Sequence, residues 1–126
     1  MKATRLFLCS AILLFIGGFS QQAFAQGNLQ FNQVINYTLV GGTAQSFTVP
    51  AGKVWKIEAV AMDYSNTPNI YLRTPANQNV ATFYTSSSYN NPLPYWLPSG
   101  YTGNFFLSNS STYRGSVSII EFNVVP

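Results

Sequence analysis

The most constraining feature of this chain is a regular alternation of short β-branched and aromatic runs with clusters of Gly, Pro, Asn and Ser. Runs of this length and spacing are typical of antiparallel sandwiches and barrels. Long runs of the helix-favouring residues Ala, Leu, Glu and Lys do not occur after residue 25. The pattern predicts about eight strands, over Leu29–Val40, Gln45–Val49, Val54–Met62, Ile70–Arg73, Val80–Thr85, Tyr95–Leu97, Asn104–Leu107 and Val117–Val125.

Alternation within each run predicts which side chains face the core, because successive residues of a strand point to opposite faces. The last run is apolar on both faces, which predicts a strand in the interior of a sheet. Its only charge, Glu121, is interpreted as a solvated residue that guards against aggregation. The buried faces of the first and third runs should hold Leu29, Phe31, Ile35, Tyr37 and Leu39, and Trp55, Ile57, Ala59 and Ala61. The expected core aromatics are Phe31, Phe47, Trp55, Phe122 and either Phe105 or Phe106.

Eight short antiparallel strands in about a hundred residues fit a single all-β domain, an antiparallel jelly-roll-like β-sandwich. A seven-stranded immunoglobulin-like sandwich is the alternative, although the Cys…Trp…Cys arrangement of true immunoglobulin domains is missing. The chain has no internal repeat and no linker that would divide it. We therefore expect one domain, residues 26–126.

The first 25 residues have the pattern of a secretory signal peptide. Lys2 and Arg5 precede an apolar run, and Ala23-Phe24-Ala25 matches a signal-peptidase site. The run is too short for a membrane span, so no transmembrane segment is expected. Cys9 precedes most of the apolar run, which argues against lipidation there. The protein is predicted to be exported to the periplasm, the outer-membrane surface or the extracellular space, and the sequence leaves open which.

The charge that remains after cleavage excludes several partner classes. Four cations and three anions follow residue 25, giving a net charge of about +1. Such a balance provides no electrostatic basis for binding nucleic acid or anionic lipid. Cys9 is the only cysteine, so the domain should have no disulfide and must be stabilised by packing alone.

Catalysis is not expected, because the required side chains are missing. The chain has no histidine, which excludes Ser-His-Asp, Cys-His and His-metal sites. Glu58 and Glu121 are interpreted as solvated strand residues and not as a catalytic pair. The best oxygen cluster surrounds Asp63, with Ser65, Asn66 and Asn69; a simple polar loop is favoured there, and ion binding is left open. No metal and no cofactor are predicted.

The aromatic residues are the feature with functional promise. Sixteen follow residue 25, more than one small core can hold. Tyrosine and tryptophan at loop tips are common anchors of interfaces. The candidate binding residues are Tyr89, Tyr95, Trp96 and Tyr101, with ordinary half-buried rim residues as the alternative for Tyr95 and Trp96.

Three runs carry a resemblance to a known group: Phe47–Ile57, Trp96–Gly100 and Ser118–Asn123. They resemble small exported β-sandwich proteins of Gram-negative bacteria and, more loosely, jelly-roll modules of phage and bacterial surface proteins. The resemblance implies a sandwich fold and an exported location. It implies no activity, so no functional residue is carried over from it.

Two function classes follow. The first is an exported, non-catalytic structural or interaction protein of the cell envelope or surface, with an accessory subunit of a larger assembly as one form. The second is a carbohydrate-binding module that uses the loop aromatics. The expected partner is accordingly a protein or a glycan at the cell surface, and association into a homo-oligomer is left open.

Overall fold

The computed structural model describes residues 28–63, 69–84, 90–108 and 112–125. These residues form eight strands close to the predicted runs. The described part of the chain holds no helix that is long and apolar enough to span a membrane. The strands are β1 (Asn28–Val40), β2 (Ala44–Thr48), β3 (Lys53–Met62), β4 (Ile70–Arg73), β5 (Asn79–Phe83), β6 (Tyr95–Leu97), β7 (Thr102–Leu107) and β8 (Arg114–Val125).

The strands form two antiparallel four-stranded sheets that pack as a sandwich. The front sheet has the strand order β1-β8-β3-β6, and the back sheet has the order β2-β7-β4-β5. Two Greek keys folded onto each other produce this order, which is the jelly roll. The predicted jelly-roll sandwich is confirmed. An immunoglobulin-like sandwich divides its strands differently between the sheets, so that alternative is not the observed fold.

The core lies between the two sheets and is built from their inward-facing side chains. Phe47 and Phe105 stack at 4.6 Å between ring centroids, and Trp55 lies 5.5 Å from Phe47. The prediction that Phe47 and Trp55 are core aromatics is therefore confirmed, and of the alternatives Phe105 and Phe106 it is Phe105 that is buried. The buried apolar side chains are Leu39, Phe47, Val49, Trp55, Ile57, Ile70, Leu72, Phe83, Leu97, Phe105, Leu107, Val117 and Ile119.

A β-bulge in β1 overturns the predicted face of its first half. Phe31 pairs with Phe122, and Gln33 pairs with Glu121, so Asn32 is an extra residue in the ladder. An extra residue reverses the alternation on one side of the bulge. Leu29 and Phe31 consequently point away from the core, whereas Ile35, Tyr37 and Leu39 point into it as expected.

A second bulge, in β3, has the same effect. Ile57 pairs with Ile119 and Ala59 pairs with Ser118, which leaves Glu58 as the extra residue. Trp55 and Ile57 are buried as predicted, but Ala59 and Ala61 are exposed. Beyond the bulge, Val60 and Met62 pack against the core instead.

The strand β8 lies in the interior of the front sheet, between β1 and β3, as predicted. Its inward face carries Val117, Ile119 and Glu121, all buried. Its outward face carries Ile120, Phe122 and Val124. Phe122 is therefore not a core residue, contrary to the prediction, because the back sheet covers only the opposite face of β8.

Candidate functional site

The aromatic residues predicted for binding do not form one surface. Tyr95 and Trp96 are consecutive on β6, so their side chains point to opposite faces of the front sheet. The Tyr95 ring meets Phe83 edge-on, with 6.2 Å between centroids. Tyr101 is also partly buried against the core, and burial, together with nearby Tyr95, raises the pKa of its hydroxyl. Trp96 alone of these faces solvent, and Tyr89 lies outside the described residues.

Trp96 belongs to an apolar surface on the outer face of the front sheet. Of the six large apolar side chains that are exposed in the described residues, five lie on this face. They are Phe31 (63% exposed), Val34 (53%), Trp96 (47%), Leu29 (45%) and Val124 (41%). The sixth, Val80, is on β5 of the back sheet. With the half-buried Val54, Ile120 and Phe122 between them, these five side chains form what we call the outer patch.

The pairing of the strands makes the outer patch continuous, because residues directly opposite in antiparallel strands share a face. One row crosses the whole sheet and links Val34, Ile120, Lys56 and Trp96. The next row links Phe31, Phe122 and Val54, and the last links Leu29 and Val124. The Trp96 and Phe122 rings lie 5.8 Å apart between centroids. The patch therefore extends from one edge of the front sheet to the other.

The charge within the outer patch is balanced. Lys56 lies in the row of Trp96, with its ammonium group 5.8 Å from the ring centroid. The same ammonium group forms an ion pair with Glu58 at 2.6 Å. Because one cation and one anion neutralise each other, the patch offers apolar area and not a net charge.

The outer face of the back sheet is different, because a cation covers its aromatic residues. The Arg73 guanidinium lies 3.8 Å from the Phe106 ring centroid and 5.1 Å from that of Tyr71. Its Nε donates a hydrogen bond to Asn79 Oδ1 at 2.9 Å. The Arg73 guanidinium thus lies over these aromatic rings, whereas Phe31 and Trp96 are 63% and 47% exposed.

The other half of the front sheet's outer face carries small and polar side chains. Asn36, Thr38, Ser116 and Ser118 occupy it on β1 and β8. It contains a shallow depression of about 260 Å³. The depression is lined by Thr38, Ala61, Met62, Asp63, Arg114, Gly115 and Ser116.

A buried carboxylate lies directly behind the outer patch. Glu121 is 3% exposed, so the prediction that it is a solvated gatekeeper is wrong. Its Oε2 accepts a hydrogen bond from Trp55 Nε1 at 2.7 Å. Its Oε1 accepts from Asn32 Nδ2 at 2.6 Å and from Gln33 Nε2 at 3.0 Å. The bulge at Asn32 allows two consecutive amides of β1 to reach one carboxylate, which ties β1 to β8 and β3.

The environment of Glu121 favours its ionised form. Burial alone would raise the pKa of this carboxyl, but the hydrogen bonds from Trp55, Asn32 and Gln33 outweigh that effect, and the charge of Lys53 adds to them. The pKa of Glu121 is therefore lower than its ordinary value. Lys53 in turn donates a hydrogen bond to Asn123. The result is a polar support beneath the outer patch that stays charged at neutral pH.

The described carboxylates do not form a catalytic pair. Glu121 points inward and is occupied by three donors, whereas Glu58 is exposed and pairs with Lys56 on the outer side. No group of three or more metal-ligating acidic, Cys or His side chains occurs among the described residues. Asp63 is exposed, and its predicted partners Ser65 and Asn66 lie outside the described residues.

Most of the outer patch was not predicted as a binding surface. Phe31 and Phe122 were expected in the core, and Leu29, Val34 and Val124 were not singled out for binding. The sequence pattern that indicates such a surface lies in the last run, Val117–Val125, where Ile120, Phe122 and Val124 form a second apolar face. A two-layer sandwich covers only one face of each sheet, so a run that is apolar on both faces leaves one apolar face outside.

Comparison of the chain with protein-family models, with curated proteins and with solved structures finds no match.

Proposed function

We propose that this protein is an exported, non-catalytic interaction protein of the cell envelope or surface, and that it contacts its partner through the outer patch. The observation that carries the proposal is the clustering of five of the six exposed large apolar side chains on one sheet face. Single exposed apolar residues are normal on protein surfaces, whereas contiguous patches mark binding sites.

The chemistry of the outer patch supports contact with protein more than contact with sugar. Interface cores are enriched in aromatic residues and depleted of charge, and the patch combines Phe31, Trp96 and Phe122 with one neutralised ion pair. Sugar sites instead combine an aromatic ring with converging amides or carboxylates. The amides of Asn32 and Gln33 on neighbouring β1 are directed to Glu121, away from the patch.

A capture experiment with matched variants tests this function. The tagged protein, a Phe31→Gln/Trp96→Gln variant and a Val80→Gln control are incubated with native envelope extract. Val80 is a fair control because it is similarly exposed, at 43%, but lies on the back sheet. We expect proteins that bind the wild type and the control but not the double variant, and that remain bound at high salt, since apolar contacts are not screened.

Two outcomes of the capture experiment would contradict the proposal. Equal capture by all three proteins would show that the outer patch is not the binding surface. If no protein is captured and the bound material is released by free oligosaccharides, the carbohydrate-binding alternative would be favoured.

The export part of the proposal has its own check, the intact mass of the protein recovered outside the cytoplasm. The Ala23-Phe24-Ala25 motif predicts cleavage after Ala25, so the mass should correspond to a chain that begins at Gln26, with or without cyclisation of that residue. A mass that retains residues 1–25, or a lipid on Cys9, would refute the assignment.

A further inference from the structure

We propose that the partner covering the outer patch is a second copy of this chain, joined in a two-fold symmetric dimer whose axis lies between β8 and β3 and runs along the strands. The inference rests on the proposed function, because it takes the outer patch as the binding surface. It adds the identity of the occupant and the orientation of the two copies.

The first argument is area. Because strands lie about 4.8 Å apart and rise about 3.3 Å per residue, each strand residue covers about 16 Å² of a sheet face. The four strands of the front sheet contain 38 residues, of which β6 contributes three, so the face offers about 600 Å². A standard stable interface buries about 800 Å² on each partner. The front sheet therefore presents about three quarters of the area that a standard stable interface buries on each partner.

The second argument is the match of the face to itself. Rotation by a half turn about an axis along the strands places β1 of one copy over β6 of the other, and β8 of one copy over β3 of the other. Each residue keeps its level along the strand direction. The apolar half of one copy then lies on the apolar half of the other. Among the described residues the most exposed aromatics are Phe31 on β1 and Trp96 on β6, which stand at opposite edges of the front sheet. Trp96 of one copy accordingly meets the β1 edge of its partner, near Val34 and Phe31.

The third argument is charge. The same rotation brings the start of β8, with Arg114, opposite the end of β3, with Asp63. Both residues line the depression at that end of the face. Within each chain the two residues are neighbours as well, since Asp63 N–H donates to the Arg114 carbonyl at 3.0 Å, so at this level the copies present balanced charge to each other and do not repel. Within the apolar half, the Lys56–Glu58 pair is already neutral, and a net charge of about +1 per exported chain does not oppose self-association.

Sedimentation analysis over a wide range of protein concentration tests the dimer. We expect the exported protein and the Val80→Gln control to dimerise with the same dissociation constant. Phe31→Gln and Trp96→Gln should each raise that constant at least about tenfold, as the loss of an interface anchor does. All three positions are exposed in the monomer, so the variants should retain the wild-type circular dichroism spectrum.

Cysteine cross-linking tests the orientation. The chain has one natural cysteine, Cys9, which precedes the predicted cleavage site. A mixture of Val34→Cys and Trp96→Cys proteins, held well above the dissociation constant, should form a disulfide-linked heterodimer faster than either variant cross-links with itself. Faster self-linking of Val34→Cys would place β1 on β1 and overturn the proposed axis.

The failures of the two proposals can be told apart. A wild type that stays monomeric at all concentrations would overturn the second-copy inference, while patch-dependent capture from envelope extract would still uphold the proposed function. A dimer that forms equally well in Phe31→Gln and Trp96→Gln would overturn the assignment of this face.

Discussion

At the scale of single residues, Glu121 shows how one side chain supports a surface on the other side of its strand. Its donors Asn32 and Gln33 lie 89 and 88 residues away in the sequence. Alternation along β8 puts Glu121 on the same face as Val117 and Ile119, although its charge led to the prediction that it is solvated. The sequence offered no means of locating those amides, because the bulge that directs them toward the carboxylate leaves no local pattern.

Replacing Glu121 by Gln should lower the free energy of unfolding by about 1–3 kcal/mol, because an amide nitrogen would face at least one of its present donors. The effect should depend on pH. The folded carboxyl has a lower pKa than the unfolded one, whose value is about 4.3. As pH falls, the unfolded chain takes up the proton first, so the stabilisation is present above about pH 4.3 and is lost as pH falls through the folded pKa.

Urea unfolding of wild type and Glu121→Gln at about pH 7 and about pH 3 measures this difference. The other carboxylates are common to both proteins, so the gap between the two isolates Glu121. We expect a gap at neutral pH that narrows in acid. A gap of the same size at both pH values would show that the charge of Glu121 does not stabilise the fold.

The two tryptophans should differ sharply in their contribution to stability. Trp55 is 3% exposed and donates to Glu121, whereas Trp96 is 47% exposed. Trp55→Ala should cost about 3–5 kcal/mol, and Trp96→Ala at most about 1 kcal/mol. Urea melts of both variants below the dimerisation range provide the comparison. Equal losses, or the reverse order, would mean that the two faces of the front sheet are wrongly assigned. The burial of Trp55 was predictable from alternation, and the exposure of Trp96 from its place between a polar loop and the Pro98-Ser99-Gly100 turn.

At the scale of strands, the positions of the eight runs were predictable and their bulges were not. Hydrophobic alternation locates a strand, but one extra residue at Asn32 or Glu58 reverses the face of every residue beyond it. The predicted burial of Leu29, Phe31, Ala59 and Ala61 failed for this single reason. The outer patch escaped prediction in part because Leu29 and Phe31 were assigned to the wrong side.

Close packing between β7 and β4 requires a glycine. A Cβ built on Gly103 would lie 2.6 Å from the backbone oxygen of Arg73 and 3.2 Å from the Tyr101 ring. Gly103→Ala should therefore force the two strands apart and cost about 1–3 kcal/mol. Gly115→Ala is the matched control, because the nearest atom to its Cβ, the oxygen of Ala61, is 3.2 Å away.

Thermal or urea unfolding of both glycine variants provides the measurement. The loss at Gly103 should exceed the loss at Gly115, since a backbone oxygen at 2.6 Å cannot move without displacing β4. If Gly115→Ala were the more damaging change, the packing of β7 on β4 would be looser than described.

At the scale of the whole molecule, the sandwich and its jelly-roll order were predictable from strand number and chain length. The binding surface was not, because it depends on side chains that are far apart in sequence. Leu29 and Val124 are adjacent on the outer patch although they lie near opposite ends of the described chain. Trp96 was correctly expected to lie outside the core, but its described neighbours are Phe122 and Lys56, whereas Tyr95 points to the opposite face of the sheet.

The most direct test of the central claim, that a second copy covers the outer patch, is acrylamide quenching of tryptophan fluorescence as the concentration of wild-type protein rises. Because Trp55 is already buried, the quenchable signal reports Trp96. We predict that quenching decreases as the concentration passes the dissociation constant of the dimer, since the β1 edge of the partner then shields the ring. Quenching that stays constant from dilute to concentrated solution would contradict the account.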